Sequence, residues 1–373
     1  MLFTYRPVPH KMDQMHEFVS FIFSEVWCKA PDNEYSLELF EPNPALHQIM
    51  VELFRRDSAG KLDTDGAAYF FYENVNAIFS EFKLLNPVEI VQFRTQFEHN
   101  NRIEELCRNE AGVTPTHYDS LDSAKSVLND KIYKFFNGIY NSGFFDLAFV
   151  RHILGSTLSE YYREFVDQDH DNNNDACPFC GIMPLDGEFD STRDAFDHFL
   201  PKSVYPYNSL NLRNLVPSCH KCNSGHKLSQ DPINDDKTKR RRRAFYPFSR
   251  TPPGITITVT LMTKDWSARR TKGSINVRVG STAFPEEAST WNKLYGIEER
   301  YEAKCNSKNG GIYWQSRILN ECKTYNLTPR EMLEAELKAA SNAPWVHCNF
   351  LKKAFLECLE RSGLLDSIET DAT

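Results

Sequence analysis

Nowhere in the 373 residues do eighteen apolar residues run together, and the opening "MLFTYRPVPHKMDQMHEF" has no basic flank followed by an unbroken apolar stretch. The first absence speaks against a membrane span and the second against a secretory leader, so a soluble, cytoplasmic protein is expected. No segment recurs at a fixed period, which sets aside solenoids and propellers. An excess of positive charge is also missing: a net charge of −8 does not suit a protein that coats nucleic acid indiscriminately. The polar run "DQDHDNNND", Asp167 to Asp175, holds no apolar residue and lacks the spaced Asp and Gly of a calcium loop, so it reads as a solvated linker.

What the chain does have is ample apolar surface, 41% of residues with 13% aromatic, enough for two or three cores. From about residue 11 to 165 the apolar residues recur at three- and four-residue steps, as in Met15, Phe18, Val19, Ile22, Phe23 and Val26, or Ile132, Phe135, Phe136 and Ile139. That period predicts core-facing helices, punctuated at Pro42, Pro44, Pro87 and Pro115. After "RTPPG" the alternating "ITITVTLM" and then "SINVRV" predict two strands, and the tail returns to helical patterning, with Thr328 as an N-cap and Pro329 at the first helical position. "WNKLYGIEERY", Trp291 to Tyr301, reads as a packing element. The expected organisation is a helical N-terminal domain (1–166), a linker (167–176), a cysteine-bearing module (177–250) and an α+β C-terminal region (251–373).

Six of the ten cysteines stand alone in helical sequence and are expected to be reduced thiols. The other four, Cys177, Cys180, Cys219 and Cys222, form two Cys-x-x-Cys pairs whose spacing lets both sulfurs of a knuckle face one ion. Four thiolates complete a tetrahedron around Zn2+ and leave no open position, so such an ion is structural. Charge is concentrated here too. Residues 177 to 250 hold 12 Lys and Arg against 8 Asp and Glu, so the segment is positive while the rest of the chain is strongly negative. The run "KTKRRRR", ending in Lys239, Arg240, Arg241, Arg242 and Arg243, has a plain reading as a solvated loop and a functional one as a track for phosphates.

Between the cysteine pairs, Asp197 and His198 lie side by side in "AFDHFLPKS"; Asn214 follows sixteen residues after the His, in "NLVPSC", and Asn223 nine residues later, in "CHKCNSGHK". This combination resembles the HNH nucleases, over about 177 to 248, in an H-N-N version with Asn223 where many members carry a second His. The resemblance implies an α+β fold, mostly helical overall, with a central ββα-metal module, and a metal-dependent endonuclease acting on nucleic acid, DNA being favoured. It further implies that Asp197 and Asn223 hold a catalytic Mg2+ or Mn2+, that His198 is the general base on the attacking water, and that Asn214 holds the catalytic loop. Lys202, His226 and Lys227 would meet phosphate, with His226 a rival to Asn223 as ligand. Oxygen donors of this kind suit hard cations, and an imidazole of ordinary basicity suits proton abstraction. Bacterial proteins resembling this one are often antiphage defence or mobile-element nucleases, some beside a partner ATPase or other regulatory subunit, and a homo-oligomer is equally compatible. The competing reading is a zinc-dependent module that binds nucleic acid or protein without catalysis.

Overall fold

The computed structural model describes residues 1–167, 176–187, 189–235, 237–262 and 273–363. Most of the linker expected at 167–176 lies outside the described residues. The N-terminal part is helical, as its periodicity predicts: α1 (Gln14–Phe21), α2 (Pro44–Ser58), α3 (Ala67–Phe82), α4 (Pro87–Asn101), α5 (Ile103–Arg108), α6 (Ser126–Gly138), α7 (Ala148–Leu154) and α8 (Leu158–Asp167). Local chemistry sets the starts. Asn43 caps α2 through the Leu46 amide with Pro44 at the first helical position, and Asn86 and Glu89 form a reciprocal capping box at α4 with Pro87 inside it. The α1 stripe continues through a wide turn over Ile22–Val26, and Met15, Phe18, Val19, Ile22, Phe23 and Val26 are all buried.

Two small antiparallel sheets follow. Strands β1 (Phe196–His198) and β2 (Leu215–Pro217) pair with Asp197 opposite Val216 and His198 opposite Leu215. A wide helical turn, Lys221–Lys227, comes next, closed by an i to i+5 bond from the Leu228 amide to the Asn223 carbonyl. Strands β3 (Thr256–Leu261) and β4 (Ile275–Gly280) form the second sheet, where the alternating sequence places it. The chain then runs through α9 (Pro285–Tyr295), α10 (Ile297–Cys305), α11 (Gly311–Ser316), α12 (Pro329–Asn342) and α13 (Asn349–Arg361). Thr328 and Glu331 form the capping box of α12.

One contiguous core joins the N-terminal helices, the cysteine-bearing segment and the C-terminal helices. Tyr207 is wedged among Phe23, Phe97 and Phe136 of the N-terminal helices, while Asn100 donates to the Pro206 carbonyl and accepts from Thr116. On the other side, Trp291 of α9 donates to the Phe179 carbonyl at 2.7 Å and Tyr301 of α10 to that of Cys180 at 2.9 Å. The segment carrying the chemistry is therefore held between two helical walls. Among the described residues no helix is long and apolar enough to cross a membrane.

Candidate metal centre and active site

All ten cysteines are buried. The sulfurs of Cys177, Cys180, Cys219 and Cys222 lie within 4.8 Å of one another, and the Sγ atoms of Cys180 and Cys219 are 3.9 Å apart. A tetrahedron with Zn–S bonds of about 2.3 Å has edges near 3.8 Å, so the cluster could hold zinc. Local turns preorganise each pair: the Gly181 amide bonds back to the Cys177 carbonyl, and the Cys222 and Asn223 amides to that of Cys219. Gly181 takes a left-handed φ of 63°, and a Cβ there would collide with Leu2 and Phe350, so the knuckle requires glycine. Burial pushes the Cys177 thiol up, while hydrogen bonds from Cys177 and the other two thiols pull Cys180 down. Four such groups ionise together only around a cation.

Around this cluster, α9 and α10 supply Tyr295 and Arg300. The Arg300 Nη1 donates to Cys222 Sγ at 3.2 Å and to the Tyr295 carbonyl at 3.3 Å, and the Tyr295 ring stacks on Phe179 at 4.5 Å. Trp291, Leu294, Tyr295 and Ile297 pack in the core, as their pattern predicts. Arg300 was not among the candidate residues expected from the sequence. Its signal was an arginine at the 297, 300, 301, 304 stripe of α10, where Ile297 and Tyr301 are buried.

Strand β1 sends Asp197 and His198 to opposite faces, as any strand does with neighbours. Asp197 is 2% exposed, and its Oδ1 accepts from Lys227 Nζ at 2.8 Å; the same ammonium donates to the His198 carbonyl at 2.8 Å. Its other oxygen, Oδ2, is buried without a partner. Burial raises the Asp197 carboxyl above the usual range, and Lys227 opposes that shift. Half-buried on the other face, His198 packs edge-on against Tyr140, with ring centres 4.6 Å apart, and places Nε2 3.0 Å from the Ser209 carbonyl. A carbonyl only accepts, so Nε2 carries the proton and Nδ1 keeps its lone pair. Burial lowers the imidazole to about 3, well below the ordinary basicity expected of it from the sequence, which keeps it neutral.

Asn214 is fully buried and staples Leu200: its Oδ1 accepts the Leu200 amide at 2.8 Å, and its Nδ2 donates to the Leu200 carbonyl at 2.9 Å and to Asn208. Because Leu200 follows the Asp-His pair by two residues, this bond pair fixes the chain leaving β1. Asn223 sits half-buried on the Lys221–Lys227 turn, four residues before Lys227.

The basic residues divide differently from the expectation. Lys227 is 0% exposed and bonded to Asp197, so it does not face phosphate. Arg241 reaches the Ile233 and Leu106 carbonyls, and Arg242 those of Pro232 and Asp231. Arg242 thus closes the loop on itself and Arg241 also ties it to α5, so the basic residues of the run left exposed are Lys237, Lys239, Arg240 and Arg243. Lys202, half-buried, donates to the Asn137 carbonyl. The ring of half-buried His226 lies against Gly296, and desolvation, then Arg300 and Lys221, lower its basicity.

Among the described residues, fold and site together define a mostly helical protein with two small sheets and a buried four-cysteine cluster of zinc-binding geometry. Similarity to known proteins is confined to short stretches. Over 65 residues the chain is 40% identical to protein ea31 of Escherichia phage lambda, covering 17% of this chain and 20% of that one. Over 64 residues it is 41% identical to Septu protein PtuB of Bacillus thuringiensis, covering 16% of this chain and 24% of the relative. The matched stretch thus spans only about a fifth to a quarter of the length of these relatives. No protein-family model matches the chain, and no solved structure matches it.

Proposed function

We propose that the chain is a metal-dependent endonuclease of the HNH kind, hydrolysing phosphodiester bonds in nucleic acid, with DNA the favoured substrate. One observation carries the reading: adjacent residues of one short strand offer a buried carboxylate oxygen with no partner, Asp197 Oδ2, and an imidazole fixed as the Nε2–H tautomer. An orphaned buried carboxylate oxygen is costly unless a cation or donor completes it. A hard divalent cation, Mg2+ or Mn2+, held by Asp197 and Asn223, would supply charge stabilisation at the phosphate and the departing oxygen. Lys227 has a different part from the one its sequence position implies: by taking Oδ1 it orients Asp197 and leaves Oδ2 available.

The chain's own residues do the rest of the work in this scheme. His198 accepts the proton of the attacking water at Nδ1, and the Ser209 carbonyl holds the ring and favours the imidazolium that forms. Asn214 locks the exit of β1 so that Asp197 and His198 keep their relative placement. The order of elements supports the reading, since β1, β2 and the Lys221–Lys227 turn follow one another as a ββα module requires. Antiphage defence is part of the proposal, and a match to a Septu protein agrees with it; a partner ATPase would be one route to control.

A second reading keeps the zinc module and drops catalysis. The Lys227–Asp197 pair favours it, because a carboxylate already neutralised can be purely structural. Purified protein incubated with plasmid, linear and single-stranded DNA and with RNA, plus Mg2+ or Mn2+, separates the two. Metal-dependent cleavage that disappears in His198→Ala, with nucleic-acid binding retained, supports the nuclease. Cleavage that persists in His198→Ala removes His198 from the role of base, and no cleavage of any substrate favours the binding module.

A further inference from the structure

We infer that a pocket on the α10 side of the Lys221–Lys227 turn binds a phosphate group, independently of whether the chain cleaves nucleic acid. The cavity is about 510 Å3, the size of a small-ligand site, and Lys221, His226, Arg300, Lys304 and Asn309 help to line it. It is distinct from the Asp197 site. Lys227, on the same turn, is buried against Asp197, whereas Lys221 is exposed and His226 half-buried at the pocket.

Arg300 carries the argument. It is 7% exposed, and while Nη1 is engaged by Cys222 Sγ and the Tyr295 carbonyl, Nη2 is buried with no hydrogen-bond partner. A buried guanidinium nitrogen without an acceptor is a substantial cost, and a phosphate oxygen is its natural complement. Three cations line the cavity, Lys221, Arg300 and Lys304, against one carboxylate, Glu299. A four-thiolate zinc centre beside Arg300 carries two negative charges, and Arg300 offsets one of them. With Glu299 counted, the charges around the cavity balance, so Lys221 and Lys304 act as local partners for phosphate oxygens at the rim rather than through a net field, while Arg300 supplies a fixed donor. Lys304 is anchored to the Asn309 carbonyl at 3.1 Å, which holds its charge at the rim.

The phosphate can belong to a nucleic-acid backbone or to a free nucleotide, and binding distinguishes the two. Full-length, zinc-loaded protein without other divalent cations is titrated calorimetrically with inorganic phosphate, ATP and a short single-stranded oligonucleotide. At least one probe is expected to bind, with affinity falling about tenfold or more in Lys221→Glu and unchanged in a control at exposed Lys61, Lys61→Glu. Arg300→Lys keeps the charge beside Cys222 and removes the fork; weaker binding with undiminished zinc content is expected. ATP bound without the oligonucleotide identifies a free nucleotide, and the reverse identifies a backbone phosphate. Failure of all three probes to bind wild-type protein, or equal affinity in wild type and Lys221→Glu, overturns the proposal. Metal-dependent cleavage in that event leaves the nuclease reading standing.

Discussion

At the scale of single residues, the pair most exposed to test is Asp197 and Lys227. Both are buried, 2% and 0% exposed, and each is the other's charge partner. Removing one partner of such a pair strands the other, at a cost of about 3–5 kcal/mol, whereas replacing both by neutral groups costs far less. Lys227→Met is therefore expected to lower the free energy of unfolding by that amount in urea titrations, and Asp197→Asn with Lys227→Met to recover most of it. If Lys227→Met unfolds at the same urea concentration as wild type, the ion pair is not what holds the two residues. The Asp-His pair, the two Asn and the four Cys were all legible in the sequence, because each is a short local signature. The partner of Asp197 was not, since Lys227 lies 30 residues away and its identity as an internal cation depends on burial.

Among the elements, α1 against α4 gives a pH prediction. His16 of α1 stacks on Phe97 of α4, with ring planes 3° apart, and Ser20 meets its Nε2 at 3.3 Å. Burial lowers His16 from its usual 6.5 to about 4. Because the folded value is below the unfolded one, the unfolded chain takes up the proton first as pH falls. This contribution to stability is whole above pH 6.5, falls away between 6.5 and 4, and amounts to about 2 kcal/mol lost by pH 5. His16→Gln lacks that titration, so the stability difference between wild type and His16→Gln is expected to shift by about that amount between pH 7.5 and 5. A difference that stays constant with pH would mean that the α1–α4 contact tolerates the charged imidazole. Periodicity found α1 and its buried stripe, but a His beside that stripe carries no sign of whether it will be wet or dry. Packing against Phe97 decided it.

Across the whole molecule, the four-cysteine cluster is bonded to both walls. The Leu2 amide donates to the Pro178 carbonyl, Trp291 to Phe179 and Tyr301 to Cys180, and one core runs through all three segments. Zinc removal by chelation, or Cys177→Ser, is expected to lower the temperature of a single unfolding transition, with tryptophan fluorescence and far-UV circular dichroism moving together. Two separate transitions, one insensitive to chelator, would show that the helical segments fold without the cluster. The expected division into an N-terminal domain, a module and a C-terminal region was a reading of pattern changes along the chain. Such changes mark where element types switch, and they carry no information on whether the apolar faces on either side are buried against each other.

The sequence by itself determined the helical stripes, the N-cap at Thr328, the two alternating strands that became β3 and β4, and the spacing within each cysteine pair, because each depends on residues within a few positions of one another. Only the tertiary structure decided that Lys227 serves Asp197, that Arg241 and Arg242 hold carbonyls, and that Arg300, 78 residues beyond Cys222, touches its sulfur. The physical reason is common to all three. A long cationic side chain on the surface of an isolated segment has no fixed partner, and it acquires one when packing removes water around it and leaves a carboxylate, a carbonyl or a thiolate as the remaining acceptor.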